Sequence, residues 1–436
     1  MKTNLTEGPI TRNILLFSLP LMVGNILQQL YNLVDTYVVG KYLGSSALAA
    51  VGSAYTLMTF LTSIILGLCM GTGVYISILY GQKEKDKLKQ SIFMSFVSLG
   101  IFSLLLTTIV FIGVDPILHI LSVPQDIYYT MKDYVLVIFL GIPATFLYNY
   151  FSNILRAIGN SVTPLWFLAI SSILNVFLDF LLVVTIPLGV KGAAIATIFS
   201  QYVSGIGIWI YTNKRSKEIL PTKVDRTWNL TELKKISSLS LSTSLQQSIM
   251  NFGILMIQGL VNSFGTIIMA AFAASVKIDS FAYMPVQDFG NAFSTFVAQN
   301  YGANKQERIH KGIRSAGITS IVFCLIISSF IWIFARNLLE IFIDPSETEI
   351  LKVGIQYLRV EGSFYFGIGI LFLLYGYYRA INIPNMSLVL TIISLGTRVL
   401  LSYTLSPIFG VLAIWSSIPI GWILADCVGI LYYLFH

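Results

Sequence analysis

IFMSFVSLGIFSLLLTTIVFIGV, residues 92–114, is a run of 23 residues without a single charge. As a helix it would be roughly 35 Å long at about 1.5 Å per residue, enough to cross a hydrocarbon core of about 30 Å. Residues 135–151 and 318–334 are charge-free in the same way. The remainder of the chain fits this pattern. Of 436 residues, 56% are hydrophobic and 11% charged, whereas soluble domains carry about a quarter charged residues. Too little charge is available to coat a water-facing surface, so the chain reads as an all-α integral membrane protein.

Pro, Gly and charged residues divide the sequence into twelve spans, near residues 13–40, 46–80, 90–114, 128–152, 163–187, 190–212, 235–263, 267–300, 312–335, 349–378, 386–406 and 410–434. An even number of spans puts both termini on one side. Nineteen of the 27 basic residues fall on that side: Lys2 and Arg12 in the tail, Lys83 to Lys89 after span 2, Lys214 to Lys235 after span 6, Lys305 to Arg314 after span 8, and Arg156 and Arg379. The other side holds Asp115, Asp126, Asp344, Glu347 and Glu349. The positive-inside rule then predicts cytoplasmic termini and a multi-pass protein of the cell (inner or plasma) membrane. The short polar amino terminus has no cleavage signal, so span 1 is expected to stay in place.

The longest polar stretch lies mid-chain and suggests an N-lobe of residues 1–212, a cytoplasmic linker of residues 213–234 and a C-lobe of residues 235–436. The halves repeat. A shift of 221 brings Leu43-Gly44 onto Phe264-Gly265, Ala49-Ala50 onto Ala270-Ala271, Tyr80-Gly81 onto Tyr301-Gly302 and Gly189-Val190 onto Gly410-Val411. A shift of 223 aligns Arg156-Ala157-Ile158 with Arg379-Ala380-Ile381. With six spans per half, the repeat is parallel, about an axis along the membrane normal, and predicts alternating access by the two lobes around a mid-membrane site.

Several chemistries find no support. There is no phosphate-binding GxxxxGK[ST] loop, HExxH helix or GxSxG elbow, so neither nucleotide-driven pumping nor a recognisable hydrolase mechanism is indicated, and the chain is not expected to be an enzyme. Cys69, Cys324 and Cys427 sit in apolar runs without metal-ligand spacing. Basic residues cluster between apolar runs and form no basic domain, which excludes nucleic acid as a partner. The energy source should be an ion gradient, with no cofactor.

Carboxylates inside spans are costly and mark function. Asp35 in span 1 and Asp179 in span 5 stand out, and Asn175, one turn from Asp179, and Thr197 in span 6 fall at a similar depth. Such a set of oxygens suits Na⁺, and a pair of carboxylates can equally hold a shared proton. The repeat-equivalent residues of the second half are Met256, Arg398, Ser402 and Ile418, so the acidic site is expected in the first half alone. Gln28, Tyr31, Asn32 and Asp35 form a polar stripe along span 1, a candidate substrate path, and Pro20 offers a hinge in the same helix. In the second half, Gln246, Asn251, Lys277, Gln287, Asp288 and Arg398 are candidates for lining a cavity. Arg398 reads as a structural tie to polar neighbours, and Lys277 and Asp279, two apart, share no helical face.

These residues resemble the multidrug and toxic compound extrusion family, and within it the DinF-like branch. The resemblance covers essentially the whole chain and rests on Leu19-Pro20, residues 28–35, Leu43-Gly44 with residues 47–52, residues 156–160 with Pro164, Asn175 with Asp179, and residues 299–303. It implies a V-shaped pair of six-helix lobes and antiport of cationic, often aromatic, drugs against Na⁺ or H⁺. It also implies that Asp35, Asn175, Asp179 and Thr197 form the first-lobe cation site and that helix 1 bends near Pro20. Other branches carry an acid in helix 7, which this chain lacks.

The expected function is therefore a secondary active multidrug exporter, acting as a monomer in the lipid bilayer on small organic cations. The alternative is a lipid-linked oligosaccharide flippase of the same superfamily, which would line its cavity with cations for pyrophosphate. The only intramembrane basic residues here are Lys277 and Arg398.

Overall fold

Twelve apolar or polar-striped segments separated by glycine turns and short charged links become fifteen α-helices among the described residues. The computed structural model describes residues 3–121 and 123–435, apart from the side chains of Ser45 and Ile120; Lys2 and His436 lie outside the described residues. In chain order the helices are α1 Ile10–Leu43, α2 Ser45–Gln82, α3 Lys85–Ile112, α4 Val114–Ile120, α5 Gln125–Phe139, α6 Ile142–Ala157, α7 Val162–Asp179, α8 Val190–Arg215, α9 Leu230–Asn262, α10 Thr266–Gly302, α11 Gln306–Leu339, α12 Thr348–Gly362, α13 Tyr365–Ala380, α14 Pro384–Phe409 and α15 Val411–Phe435. Among the described residues there is no strand.

These helices make twelve transmembrane spans in two six-helix lobes. Among the described residues nine helices are individually long and apolar enough to cross a bilayer, and two spans are broken pairs, α5 with α6, bent by 42°, and α12 with α13, bent by 50°. The twelfth span is α9, whose 33 residues are diluted by serines and by Gln246, Gln247 and Asn251. Apolar side chains such as Ile112, Ile173, Ile333 and Ile408 are exposed on the outside of the helices, the surface a lipid environment covers.

Most helices run a few residues past their apolar runs, because backbone hydrogen bonding continues into the interface. Helix α4 and the two breaks were not foreseen from sequence. At the first break Pro143, in the first turn of α6, has no N–H for the Phe139 carbonyl, a Cβ on Gly141 would lie 2.7 Å from Gln201 Oε1, and the Tyr202 hydroxyl donates to the freed Leu140 carbonyl at 2.8 Å. Side chains from α8 thus satisfy backbone that the break releases inside the membrane.

Backbone conformation obeys the repeat more strictly than sequence does. Positive φ angles recur in pairs at Gly44 (87°) and Gly265 (92°), Lys83 (59°) and Asn304 (55°), Gly159 (87°) and Asn382 (66°), and Gly189 and Gly410 (both 62°). Each pair is separated by 221 or 223 residues, the shifts read from the sequence. The turns between spans are therefore the inherited part of the duplication, and the side chains are free to diverge.

The chain forms two compact units. One holds Leu19–Ser244 together with Thr3, the other Asn4–Ser18 together with Leu245 onward. Helix α1 thus changes unit just before Pro20, while remaining helical through that proline. Helix α9 changes unit after Ser244.

In the first unit, α2 and α9 meet along small residues. A Cβ on Gly71 would lie 2.6 Å from the Leu239 carbonyl oxygen, and Gly67, one turn earlier, backs onto Ser244 in the same way. The hydroxyls of Thr72 and Ser240 are 2.9 Å apart, and Ser244 donates to the Ile64 carbonyl at 3.0 Å. This small-xxx-small seam supplies close van der Waals packing where lipid gives no hydrophobic drive between helices. Gly71→Val should wedge it open and cost about 1–3 kcal/mol, read as a lower thermal midpoint of the purified protein. Around the seam, the linker is held by Gln90, which donates to Thr227 Oγ1 at 2.6 Å, and by the Tyr75 hydroxyl donating to Glu232. At its tip the Thr222 hydroxyl and backbone N–H hold the Asp225 carboxyl below its usual range.

In the second unit the core is aromatic. The Phe272 ring stacks on Trp415 at 5.4 Å, and Tyr357 meets Trp415 edge-on at 4.9 Å. The amino-terminal segment is tied down through its backbone: Arg308 donates to the carbonyls of Leu5, Glu7 and Gly8, at 2.8 Å for the last, and Lys305 to that of Thr6 at 2.8 Å.

Candidate functional site

The helical repeat places Asn175 and Asp179 on one face of α7, one turn apart. Asp179 is the last residue of the α-helix, and Phe180–Thr185 continues as a π-helix. It is the only π-helical stretch among the described residues, and such wide turns recur at functional sites. Its backbone packs directly on α8: a Cβ on Gly192 would lie 2.6 Å from the Leu182 carbonyl oxygen. That contact fixes α8 beside α7, so Thr197 faces Asn175. The Asn175 Nδ2 donates to Thr197 Oγ1 at 3.4 Å, and the Thr197 hydroxyl donates to the Ala193 carbonyl at 3.0 Å.

Asp179 is fully buried and Asn175 nearly so, at 0% and 2% exposure. Asp35, on α1, lies close enough to Asp179 for the two carboxylates to act on each other electrostatically. Both Asp179 oxygens, Asp35 Oδ1 and Asn175 Oδ1 are buried without a hydrogen-bond partner among the described residues. These acceptors lie on α1 and α7, with Asn175 beside the Thr197 hydroxyl. A carboxylate in such a position is stable only when something positive joins it, a proton or a metal cation. The set is made of hard oxygens, which alkali and alkaline-earth cations favour. Among the described residues no group of three His, Cys, Asp or Glu could hold a metal ion, so a cation here would draw on the Asn175 and Thr197 oxygens as well as the two carboxylates.

Two tyrosines complete this site. Tyr31 meets Gln28, its neighbour on the α1 stripe, and feels the charge of Asp35. Tyr134 on α5, 6% exposed, interacts with Asp35, Asp179 and Tyr31. Sequence reasoning missed Tyr134, although the shift of 223 that pairs Arg156 with Arg379 also pairs Tyr134 with Tyr357. Asn32 lies on the same stripe, half-buried, its carbonyl accepting from Thr36 at 2.8 Å.

The expectation of an acidic site in the first half alone is corrected by the second unit. Asp279 of α10, Glu361 of α12 and Arg398 of α14 act on one another, the two acids being 6% and 3% exposed. The Tyr365 hydroxyl donates to Asp279 Oδ1 at 2.5 Å, and Tyr357 hydrogen-bonds Glu361. The acids come from positions whose first-half equivalents are Met58 and Ile138, which is why comparing only the equivalents of the first site did not find them. Arg398 acts on both carboxylates through its charge, and its buried Nε has no hydrogen-bond partner among the described residues.

The remaining second-half candidates are scattered. Gln246, 2% exposed, has an unpartnered Oε1 on α9, and Asn251 donates to the Gln247 carbonyl at 3.1 Å. Lys277 is exposed, its Nζ 5.8 Å above the Phe342 ring. Ten residues of helix, about 15 Å, separate it from Gln287 on α10, and Asp288 beside Gln287 is buried.

The family model MatE matches residues 20–181 and 240–404, one stretch in each half. The chain belongs to the MatE family. It is a membrane transporter and not an enzyme. It is 31% identical to the probable multidrug resistance protein YpnP of Bacillus subtilis over 98% of this chain and 96% of that one. It is 26% identical to the probable multidrug resistance protein NorM of Thermotoga maritima over 98% and 92%. Among solved structures, a MOP superfamily transporter from Pyrococcus furiosus superposes with a TM-score of 0.92 at 25% identity, covering 99% of this chain and 96% of that one. As in MatE transporters generally, transport here draws on an ion gradient and needs no cofactor.

Proposed function

We propose that this MatE protein is a secondary active exporter that antiports cationic or amphipathic drugs against Na⁺ or H⁺, using Asp35, Asn175, Asp179 and Thr197 as its coupling site. The reading rests on one observation, the pair Asp35 and Asp179, of which the buried Asp35 Oδ1 and both Asp179 oxygens meet no donor among the described residues. The names of YpnP and NorM support drugs as the substrate class.

The chemistry follows from charge. When a cation or proton joins the pair, the negative charge that attracts a cationic drug is cancelled; when it leaves, the charge returns. Drug and coupling ion thus favour opposite states of the same carboxylates, which is what exchange requires. Gln28, Tyr31 and Asn32 carry hydrogen-bonding groups along α1 from Asp35, and Pro20 is the place where α1 can bend as the state changes. The clustering of basic residues supports cytoplasmic termini in the cell membrane and drug export outward.

Isothermal titration of the purified protein with Na⁺ against a K⁺ control tests the site directly. Saturable Na⁺ heat supports Na⁺ coupling. Its absence, with proton release on adding a cationic dye, supports H⁺ coupling. If neither is seen, the antiport reading is wrong.

A further inference from the structure

Asp426 lies in the interior of α15 and takes no part in either cluster described above. It is 6% exposed, and its Oδ1 has no partner among the described residues. The charged groups of the packed helices are committed elsewhere. Arg398 of α14 and Glu361 of α12 interact with each other and with Asp279, while Arg379 of α13 donates Nε to the Tyr375 carbonyl at 3.2 Å and Nη2 to Asn291 at 3.2 Å. Tyr378 of α13 donates to the Gly429 carbonyl at 2.6 Å. Tyr375 of α13, hydrogen-bonded to Thr391 of α14, is the titratable neighbour that feels Asp426.

The duplication exchanges the small and large residues at this contact. The shift of 221 pairs Asp426 with Gly205, and the shift of 223 pairs Gly367 with Ala144. In the first unit the glycine is on α8: a Cβ on Gly205 would lie 2.9 Å from the Ala144 carbonyl oxygen, so α8 and α6 pack flush. In the second unit the small and large positions are exchanged. Gly367, in the first turn of α13, stands where the first unit has alanine, and Asp426 Oδ2 lies 3.7 Å from where its Cβ would be. Helix α13 starts at the 50° break, so its first-turn N–H groups form the positive end of a half-helix inside the membrane. Discontinuous helices present such ends to anionic groups in other transporters. A buried intramembrane acid without a cation is costly.

We infer that Asp426 is a proton-binding site of the second lobe, separate from Asp35 and Asp179: its carboxylate takes a proton from water and returns it as the α12–α13 break moves. A proton needs one oxygen. A metal ion needs several, and around Asp426 stand Gly367, Trp422 and a Tyr375 hydroxyl already engaged. The site's part in export rests on the antiport reading; its titration does not.

The test is infrared spectroscopy of the full chain in lipid vesicles, following the carbonyl stretch of protonated carboxylic acids from about pH 5 to about pH 10, the range that buried acids reach. Asp426→Asn should delete one titrating band that survives in the Asp35→Asn, Asp179→Asn double variant. Asp426→Glu, which keeps the acid, should shift that band and decides the matter should the Asn variant fail to fold. The inference is overturned when Asp426→Asn deletes no band, or when the deleted band is constant across the titration, since the acid is then ionised or protonated throughout. Vesicle export of a cationic dye separates the two readings: a wild type without ion-driven export sinks antiport while the band still decides proton binding.

Discussion

Asp35→Asn and Asp179→Asn should each abolish ion-driven export while leaving the protein as stable as the parent or more so. The combination is what makes the result informative. Asp179 is fully buried, and neither of its oxygens meets a donor among the described residues, so its bare charge is a liability for the fold. Asparagine keeps the shape and removes that liability. A residue retained for stability would lose stability when neutralised; one retained for coupling loses only function. Loss of one charged ligand should weaken cation binding by about 2 kcal/mol or more, roughly thirtyfold. Titration calorimetry reads the affinity, dye accumulation in vesicles reads export, and thermal unfolding reads stability. Wild-type export in either variant would remove the coupling role from that residue.

The same comparison explains what could be read in advance. Span number and order were legible because a membrane span is fixed by the length of an apolar run, and residues 92–114 or 318–334 admit no other reading. The first-lobe acids were legible because each is a lone carboxylate inside such a run. Asp426 carries the same signal, an acid within residues 411–435, and could have been flagged on that ground. The first break had a cue that went unread, Pro143 in the first turn of α6, which offers no N–H to the Phe139 carbonyl, whereas the side chains that meet it, Gln201 and Tyr202, belong to another helix and were not legible. Tyr134 and Glu361 were hidden for a related reason: their meaning depends on facing Asp179 or Arg398, and helices α5 and α12 carry several polar residues of equal standing. The left-handed turn at Asn382 shows the converse, a feature that the sequence disguises and the repeat preserves, since its partner is Gly159.

Arg398→Met should destabilise the second unit by about 1–3 kcal/mol, because it removes the positive charge that acts on two buried carboxylates. Asp279 retains the Tyr365 hydroxyl and Glu361 retains Tyr357, yet two neutral donors do not replace a cation between like charges. Adding Glu361→Gln to Arg398→Met should recover much of the loss, since one acid with a tyrosine donor can be accommodated where two cannot. Glu361→Gln alone leaves Asp279 as the one carboxylate that feels the charge of Arg398 and should be close to neutral. Thermal unfolding of the three variants in one detergent tests the order. A single Arg398→Met as stable as the parent would mean that the acids are already neutralised by protons. The second lobe would then hold ions by the same chemistry as the first, with Arg398 tuning their release.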